Sequence, residues 1–175
     1  ADLACSGVNF TLDPDTGFED VVLISGVWGL GENIVQGSVN PDDFYVFKPS
    51  LKKGVLQPII SHHLGSKVKT MVYDDSGSGI VNLDTPIEKQ EQFVLTDAEV
   101  IKLAEWSIII EEHYQRPMDI EWAKDGQTNQ LFIVQVRPET VHSTQRNLLK
   151  INSYTLLEEG KEITRGMGLG HKISA

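Results

Sequence analysis

Two alternating stretches joined by a polar turn constrain the fold more than any other feature of this sequence. Residues 118–122 read Met-Asp-Ile-Glu-Trp, and residues 131–138 read Leu-Phe-Ile-Val-Gln-Val-Arg-Pro. Between them, residues 124–130 contain Asp, Gly, Thr and Asn, which are typical of turns. This pattern predicts a β-hairpin.

The register of the hairpin follows from the centre of its turn. Side chains of a strand alternate between two faces, so Asp119 and Glu121 share one face. If the turn is centred near Thr128, Glu121 lies opposite Gln135 and Asp119 lies opposite Arg137.

Alternation also predicts which face of the second strand meets the core. Its apolar face, directed into the core, would be formed by Phe132, Val134 and Val136. The other face would carry Leu131, Ile133, Gln135 and Arg137.

Four polar side chains should therefore meet at the open end of the hairpin, and two interpretations remain. In the structural one, Asp119 and Arg137 form a cross-strand ion pair while Glu121 and Gln135 are solvated. In the functional one, a cation binds between the carboxylates, which lie about 7 Å apart and repel by about 0.6 to 2.4 kcal/mol. Carboxylate and amide oxygens suit Mg²⁺, and Arg137 would offer a planar fork to a phosphate.

The composition limits the class of protein. The chain has 175 residues and a formal net charge of −10, which argues against nucleic acid as a partner. Its hydrophobic content of 40% is typical of a globular protein, and no apolar stretch is long enough to span a membrane. The sequence also lacks a signal-peptide pattern, so we expect a cytoplasmic protein.

Cysteine and histidine predict neither a disulfide framework nor a metal site. Cys5 is the single cysteine, and we expect it to be a small buried residue. The five histidines lack the spacing of zinc motifs.

A glycine-rich connector follows two predicted strands near residues 8–12 and 21–24. Residues 26–32 read Gly-Val-Trp-Gly-Leu-Gly-Glu, a spacing that fits neither the dinucleotide fingerprint nor the Walker A loop. The glycines could turn the chain tightly, or they could let the backbone approach a ligand with Glu32 at its edge.

One helix has clear start and stop signals. Residues 96–99, Thr-Asp-Ala-Glu, have the form of a capping box. The helix should end near Tyr114, because Pro117 disfavours helical geometry at Arg116. Its core-facing residues would be Val100, Leu103, Ala104 and Ile108.

A further strand is predicted over residues 67–73, with Lys67 and Lys69 on one side. This arrangement favours a charged edge strand, and contact with a phosphate is the alternative.

Several motifs, taken in order, resemble one known family. They are Ser6-Gly7-Val8 with Phe10-Thr11, Trp28-Gly29-Leu30-Gly31-Glu32, Val35-Gln36-Gly37, Asn40-Pro41-Asp42, and the sequences of residues 116–122 and 135–140. Together they resemble the nucleotide-binding region shared by phosphoenolpyruvate synthases (pyruvate, water dikinases) and pyruvate phosphate dikinases.

The resemblance implies a fold class and a domain organisation. It implies an α+β chain that forms the second half of an ATP-grasp fold, mainly an antiparallel sheet with one long helix. Residues 1–141 would be a partial nucleotide-binding domain, residues 142–155 a linker, and residues 156–175 the truncated start of the phosphohistidine domain. Because the chain begins without Met, we expect a piece of a longer protein. The first ATP-grasp half, the phosphohistidine domain and the pyruvate-binding barrel would then be its partners in that polypeptide.

The resemblance also implies roles for five residues. In the family, ATP phosphorylates a histidine, and the phosphoryl group passes to pyruvate to give phosphoenolpyruvate, AMP and phosphate. Glu121 and Gln135 would bind Mg²⁺ and the phosphates of ATP, Arg137 would contact a phosphate, and Asp119 would support them. Glu32 matches an acidic residue on the nucleotide side of the glycine-rich loop.

The resemblance assigns no catalytic residue to this stretch. None of the five histidines lies in the family's phosphohistidine motif, so the 175 residues alone are expected to be inactive. Two alternatives remain: a non-catalytic β-rich interaction or regulatory module, and a related dikinase with a different acceptor.

Overall fold

The computed structural model describes residues 1–54, 57–74 and 79–140, and it contains eight strands and four helices in that part of the chain. The strands are β1 (Cys5–Phe10), β2 (Val21–Trp28), β3 (Asp42–Phe47), β4 (Ile59–His63), β5 (Lys69–Tyr73), β6 (Ile80–Asp84), β7 (Met118–Lys124) and β8 (Leu131–Pro138). The helices are α1 (Glu32–Val35), α2 (Lys48–Lys52), α3 (Ile87–Gln90) and α4 (Asp97–Tyr114).

Six strands form one antiparallel sheet in the order β4-β3-β2-β1-β7-β8. The β1–β2 hairpin lies at its centre, and α4 packs against β1, β2, β3 and β7 on one face. The other face is called the open face below. The α+β class, with a mainly antiparallel sheet and one long helix, is therefore confirmed.

Helix α4 has the ends that its sequence predicts. The Thr96 hydroxyl accepts a bond from the Glu99 amide, and the Glu99 carboxylate accepts one from the Thr96 amide at 2.9 Å. The last residue of the helix is Tyr114, and the capping residue Gln115 has a left-handed φ of 53°. The four residues predicted to face the core are buried, and they pack with Val22, Ile24, Phe44, Val46, Trp122 and Cys5.

Cys5 is buried, as expected, and its thiol donates to the carbonyl oxygen of Val94 at 3.4 Å. Burial raises the pKa of the Cys5 thiol to about 12. This environment is that of an inert core cysteine.

A second, two-stranded sheet of β5 and β6 attaches to the large sheet through backbone contacts. The Leu30 amide donates to the Met71 carbonyl at 2.8 Å, and Gly29 bridges to Met71 with φ +78°. A Cβ atom on Gly29 would lie 2.1 Å from the Met71 oxygen. In the described residues, this glycine therefore permits close approach to a neighbouring strand.

The prediction that Lys67 lies on a charged edge strand is wrong. Lys67 precedes β5, has φ 41° and is fully buried, with its ammonium paired to the Asp42 carboxylate. Its Nζ also donates to the carbonyl oxygens of Gly65 at 2.8 Å and Gln90 at 3.2 Å. Lys69 does lie on the strand, and it pairs with Asp84 at 2.5 Å across the small sheet.

Two predicted segments, the linker over residues 142–155 and the truncated domain over residues 156–175, lie outside the described residues. Within the described part of the chain, no helix is both long and apolar enough to cross a membrane.

Candidate functional site

The β7–β8 hairpin brings four of the five candidate side chains together on the open face. Glu121 pairs with Gln135, and Asp119 pairs with Arg137, which confirms these two predicted pairs. On the other side of β7, Glu121 and Asp119 pair with Val8 and Phe10 of β1.

A β-bulge in β8 reverses the predicted orientation of the strand's first half. Trp122 pairs with Ile133, and Glu121 with Gln135, so that Val134 has no partner in the ladder. One extra residue changes which side chains face the core. The predicted core residues Phe132 and Val134 are thus 50% and 64% exposed, whereas Leu131 is buried at 7% and Ile133 packs against the core.

The Asp119–Arg137 pair is a well-formed, charge-assisted hydrogen bond. The Arg137 Nε donates to Asp119 Oδ2 at 2.7 Å, and this bond raises the pKa of Arg137. The Asp119 side chain is 11% exposed and that of Arg137 is 53% exposed. Within the described residues, the buried Oδ1 of Asp119 has no hydrogen-bond partner. A buried carboxylate oxygen without a donor is suited to a further ligand.

Glu121 and Gln135 complete the cluster. Glu121 is half-buried, Gln135 is exposed, and in the described part of the chain neither side chain has a hydrogen bond. The free oxygens of the cluster are therefore those of Asp119, Glu121 and Gln135.

This set of oxygens fits a magnesium ion that is shared with a phosphorylated ligand. Among the described residues, no three or more His, Cys, Asp or Glu side chains are grouped so as to hold a metal. Mg²⁺ needs no such group, because one or two carboxylates usually hold it together with substrate phosphates and water.

The structure does not bring Glu32 to this cluster. Glu32 is exposed at the start of α1, just beyond the Trp28 end of β2, where Trp28 pairs with Cys5. Asp119 pairs with Phe10 at the other end of β1. The two ends of β1 are roughly 17 Å apart at the usual rise of a strand.

Sequence reasoning missed two polar residues of the open face, Ser25 and Asp43. They pair across β2 and β3, and the Ser25 hydroxyl donates to Asp43 Oδ1 at 2.5 Å. Burial raises the pKa of Asp43. The alternation of Asp43, Tyr45 and Phe47 along β3 is the signal that could have found Asp43.

Two cavities of the described structure lie elsewhere. One, of about 300 Å³, is bordered by Cys5, Trp28, Glu99 and Lys124. The other, of about 630 Å³, lies between α2 and the end of α4. The candidate residues instead form part of a sheet surface.

Comparisons with known proteins confirm the family resemblance. Residues 1–156 match the family model described as pyruvate phosphate dikinase, AMP/ATP-binding domain. The chain is 48% identical over 180 residues to the phosphoenolpyruvate synthase of Synechocystis sp., covering 99% of this chain and 22% of the relative. It is 49% identical over 178 residues to that of Escherichia coli, covering 100% of this chain and 22% of the relative.

A more distant relative is the probable phosphoenolpyruvate synthase of Methanocaldococcus jannaschii, with 34% identity over 169 residues, 97% of this chain and 13% of the relative. The chain thus spans only about a fifth of the length of the Synechocystis and Escherichia coli relatives. The match over residues 1–156 shows that the chain belongs to the family of the pyruvate phosphate dikinase AMP/ATP-binding domain.

Proposed function

We propose that this chain provides one wall of the Mg-ATP site of a phosphoenolpyruvate synthase. The observation that carries the proposal is the convergence of Asp119, Glu121, Gln135 and Arg137 on the open face. In the whole protein, ATP would phosphorylate a histidine outside this chain, and pyruvate would then accept the phosphoryl group. The names of the relatives support this substrate assignment.

The four side chains have complementary roles in this proposal. Glu121 and Gln135 would hold Mg²⁺, which neutralises charge on the phosphate oxygens when it is bound. Asp119 fixes Arg137 through its Nε, and Arg137 would bind a phosphate. Glu32 remains a candidate for a separate contact with the nucleotide, since it lies towards the other end of β1.

The charges are consistent with an anionic ligand despite a net charge of −10. A bound divalent cation can be the largest local charge of a site, and Arg137 adds a second positive group. Phosphoryl transfer depends mainly on positioning and on such charge neutralisation.

The proposal extends to the architecture. Residues 1–141 would be the second half of an ATP-grasp domain, and the opposite wall of the site would come from the first half. A chain that spans 22% of its relatives would then lack the phosphohistidine and the pyruvate site, and it would be inactive alone. Its cytoplasmic location is part of the same proposal.

Titration with Mg-ATP tests whether this chain binds the nucleotide. The amide signals of Glu121, Gln135 and Arg137 should move, and they should move less with ATP and EDTA. The decisive test uses Glu121→Ala and Arg137→Ala in the full-length protein, with histidine phosphorylation as the readout. Loss of phosphorylation is expected, and activity near that of the wild type would overturn the assignment of the site.

One observation favours a non-catalytic module as the second candidate. The Asp119–Arg137 ion pair, which the structural interpretation requires, is present. Under this alternative, Arg137→Ala would lower stability slightly and leave phosphorylation unchanged. A different acceptor is also compatible with the fold, and phosphorylation assays with and without pyruvate would distinguish it.

A further inference from the structure

We propose that Asp43, oriented by Ser25, binds the nucleoside part of ATP. Asp43 would form a second polar rim of the site, across the sheet from a first rim formed by Asp119, Glu121, Gln135 and Arg137. The proposal rests on the proposed function, because it places Asp43 on the surface that would bind Mg-ATP.

Strand register places Asp43 in line with the phosphate-side residues. Asp43 pairs with Ser25, Ser25 with Val8, Val8 with Glu121, and Glu121 with Gln135. Paired residues of neighbouring strands point to the same face, so this row runs across the open face. Three strand spacings, about 14 Å, separate Asp43 from Glu121.

The middle of this surface is apolar. A neighbouring row runs from Tyr45 through Leu23 and Phe10 to Asp119. Val8 and Leu23 are buried, with 8% of each residue exposed. Binding sites for small molecules commonly combine an apolar floor with a few polar groups that fix orientation.

The carboxylate of Asp43 is arranged to accept a hydrogen bond. Ser25 is buried and donates to Oδ1 at 2.5 Å. In the described part of the chain, Oδ2 of Asp43 has no hydrogen-bond donor. A partly buried carboxylate with one free oxygen is stabilised most by a ligand that donates a hydrogen bond to that oxygen.

The charges of the two rims orient the ligand. Burial raises the pKa of the Tyr45 hydroxyl, and the negative charges of Asp13, Asp43 and Asp15 raise it further. This side of the face is therefore acidic. His63 pairs with Asp43 from β4. Phosphates would be repelled here and attracted to Arg137. The donors that a nucleoside offers are its ribose hydroxyls and, for adenine, the exocyclic amine.

The test uses Asp43→Asn and Ser25→Ala in the full-length protein, with ATP, 2′-deoxy-ATP and inosine triphosphate as substrates. Asp43→Asn should raise KM for ATP by about tenfold and change kcat by less than about twofold. Ser25→Ala should raise KM by a smaller factor. Asp84→Asn, which removes an exposed carboxylate from β6, is the matched control and should leave KM unchanged.

The two analogues identify the group that Asp43 binds. If it is the 2′-hydroxyl, the wild type discriminates against 2′-deoxy-ATP and Asp43→Asn does not. If it is the amine, the same loss of discrimination appears with inosine triphosphate. An unchanged KM for all three substrates in Asp43→Asn would overturn the role of Asp43. The proposed function would still stand in that case if Glu121→Ala is inactive. Full activity of Asp43→Asn and of Glu121→Ala would overturn both the role of Asp43 and the proposed function.

Discussion

Arg137 bonds to Asp119 through Nε alone, at 2.7 Å, and the guanidinium stays half-exposed on the open face. Within the described residues, its two terminal nitrogens make no hydrogen bond. Asp119 therefore fixes the plane of the guanidinium while leaving its outer edge available. That edge can donate two parallel bonds to a phosphate.

Replacing Arg137 by Lys would keep the charge and remove this planar edge. We expect Arg137→Lys to lower the rate of histidine phosphorylation in the full-length protein on the order of 10²-fold. The free energy of unfolding should fall by less than about 1 kcal/mol, because the ion pair is partly exposed. Lys69→Arg, in the exposed pair with Asp84, is the control. A rate equal to that of the wild type would show that a point charge suffices.

Lys67 is buried and Lys69 is not, so replacing Lys67 should lower the free energy of unfolding more than replacing Lys69. Lys67→Met leaves the buried Asp42 carboxylate without its ammonium, and we expect a loss of about 3 to 5 kcal/mol of unfolding free energy. Lys69→Met should cost less than about 1 kcal/mol. Urea unfolding monitored by tryptophan fluorescence measures both. Equal losses would contradict the buried position of Lys67.

Gly29 and Gly37 both have positive φ, but among the described residues only Gly29 has a close neighbour. A Cβ atom on Gly37 meets no atom of the described residues within 4 Å, so Gly37→Ala should cost about 1 to 2 kcal/mol in backbone strain. Gly29→Ala adds a clash with the Met71 oxygen and should cost about 2 to 5 kcal/mol in total. Thermal unfolding compares them, and equal losses would argue against the contact between Gly29 and β5.

The bulge predicts opposite outcomes at two adjacent positions. Leu131→Ala should lower the unfolding free energy by about 2 to 5 kcal/mol, since Leu131 is buried. Phe132→Ala should lower it by less than about 1 kcal/mol, since half of the ring is exposed. Simple alternation predicts the reverse order, so chemical denaturation of the two variants distinguishes the two registers.

Asp43 should make stability depend on pH in a defined direction. Burial raises its pKa above the ordinary 3.8, so the folded protein holds this proton more tightly than the unfolded chain does. The resulting stabilisation is complete below the unfolded pKa and is lost as the pH rises through the folded pKa. The stability of the wild type relative to Asp43→Asn should therefore fall across this window. Urea midpoints from about pH 3 to pH 7 measure it, and a relative stability that rises with pH would contradict the burial of Asp43.

Local chemistry explains what the sequence could predict. The capping box at Thr96 and the restriction before Pro117 define the ends of α4, and both depend on residues close in the chain. The β7–β8 hairpin likewise follows from its polar turn and the alternating stretches on either side. These features need no knowledge of the rest of the fold.

Long-range packing explains what the sequence could not predict. Lys67 is buried beside Asp42 of β3, and nothing near Lys67 in the sequence indicates this pairing. The bulge depends on how Ile133 and Trp122 pack against α4 while Gln135 stays beside Glu121. Asp43 lies in line with Glu121 because of the order of the strands, which the sequence alone does not show.

The extra residue in β8, Val134, also limits how the cluster of Asp119, Glu121, Gln135 and Arg137 could be transplanted to another protein. A regular strand that carried Leu131, Ile133, Gln135 and Arg137 at their native spacing would present all four on one side. A graft must therefore include Val134 as an unpaired insertion, or delete it and restore plain alternation. In either case the recipient sheet must accept Ile133 in its interior beside a tryptophan, so the interior and the ligand-facing surface have to be transferred together.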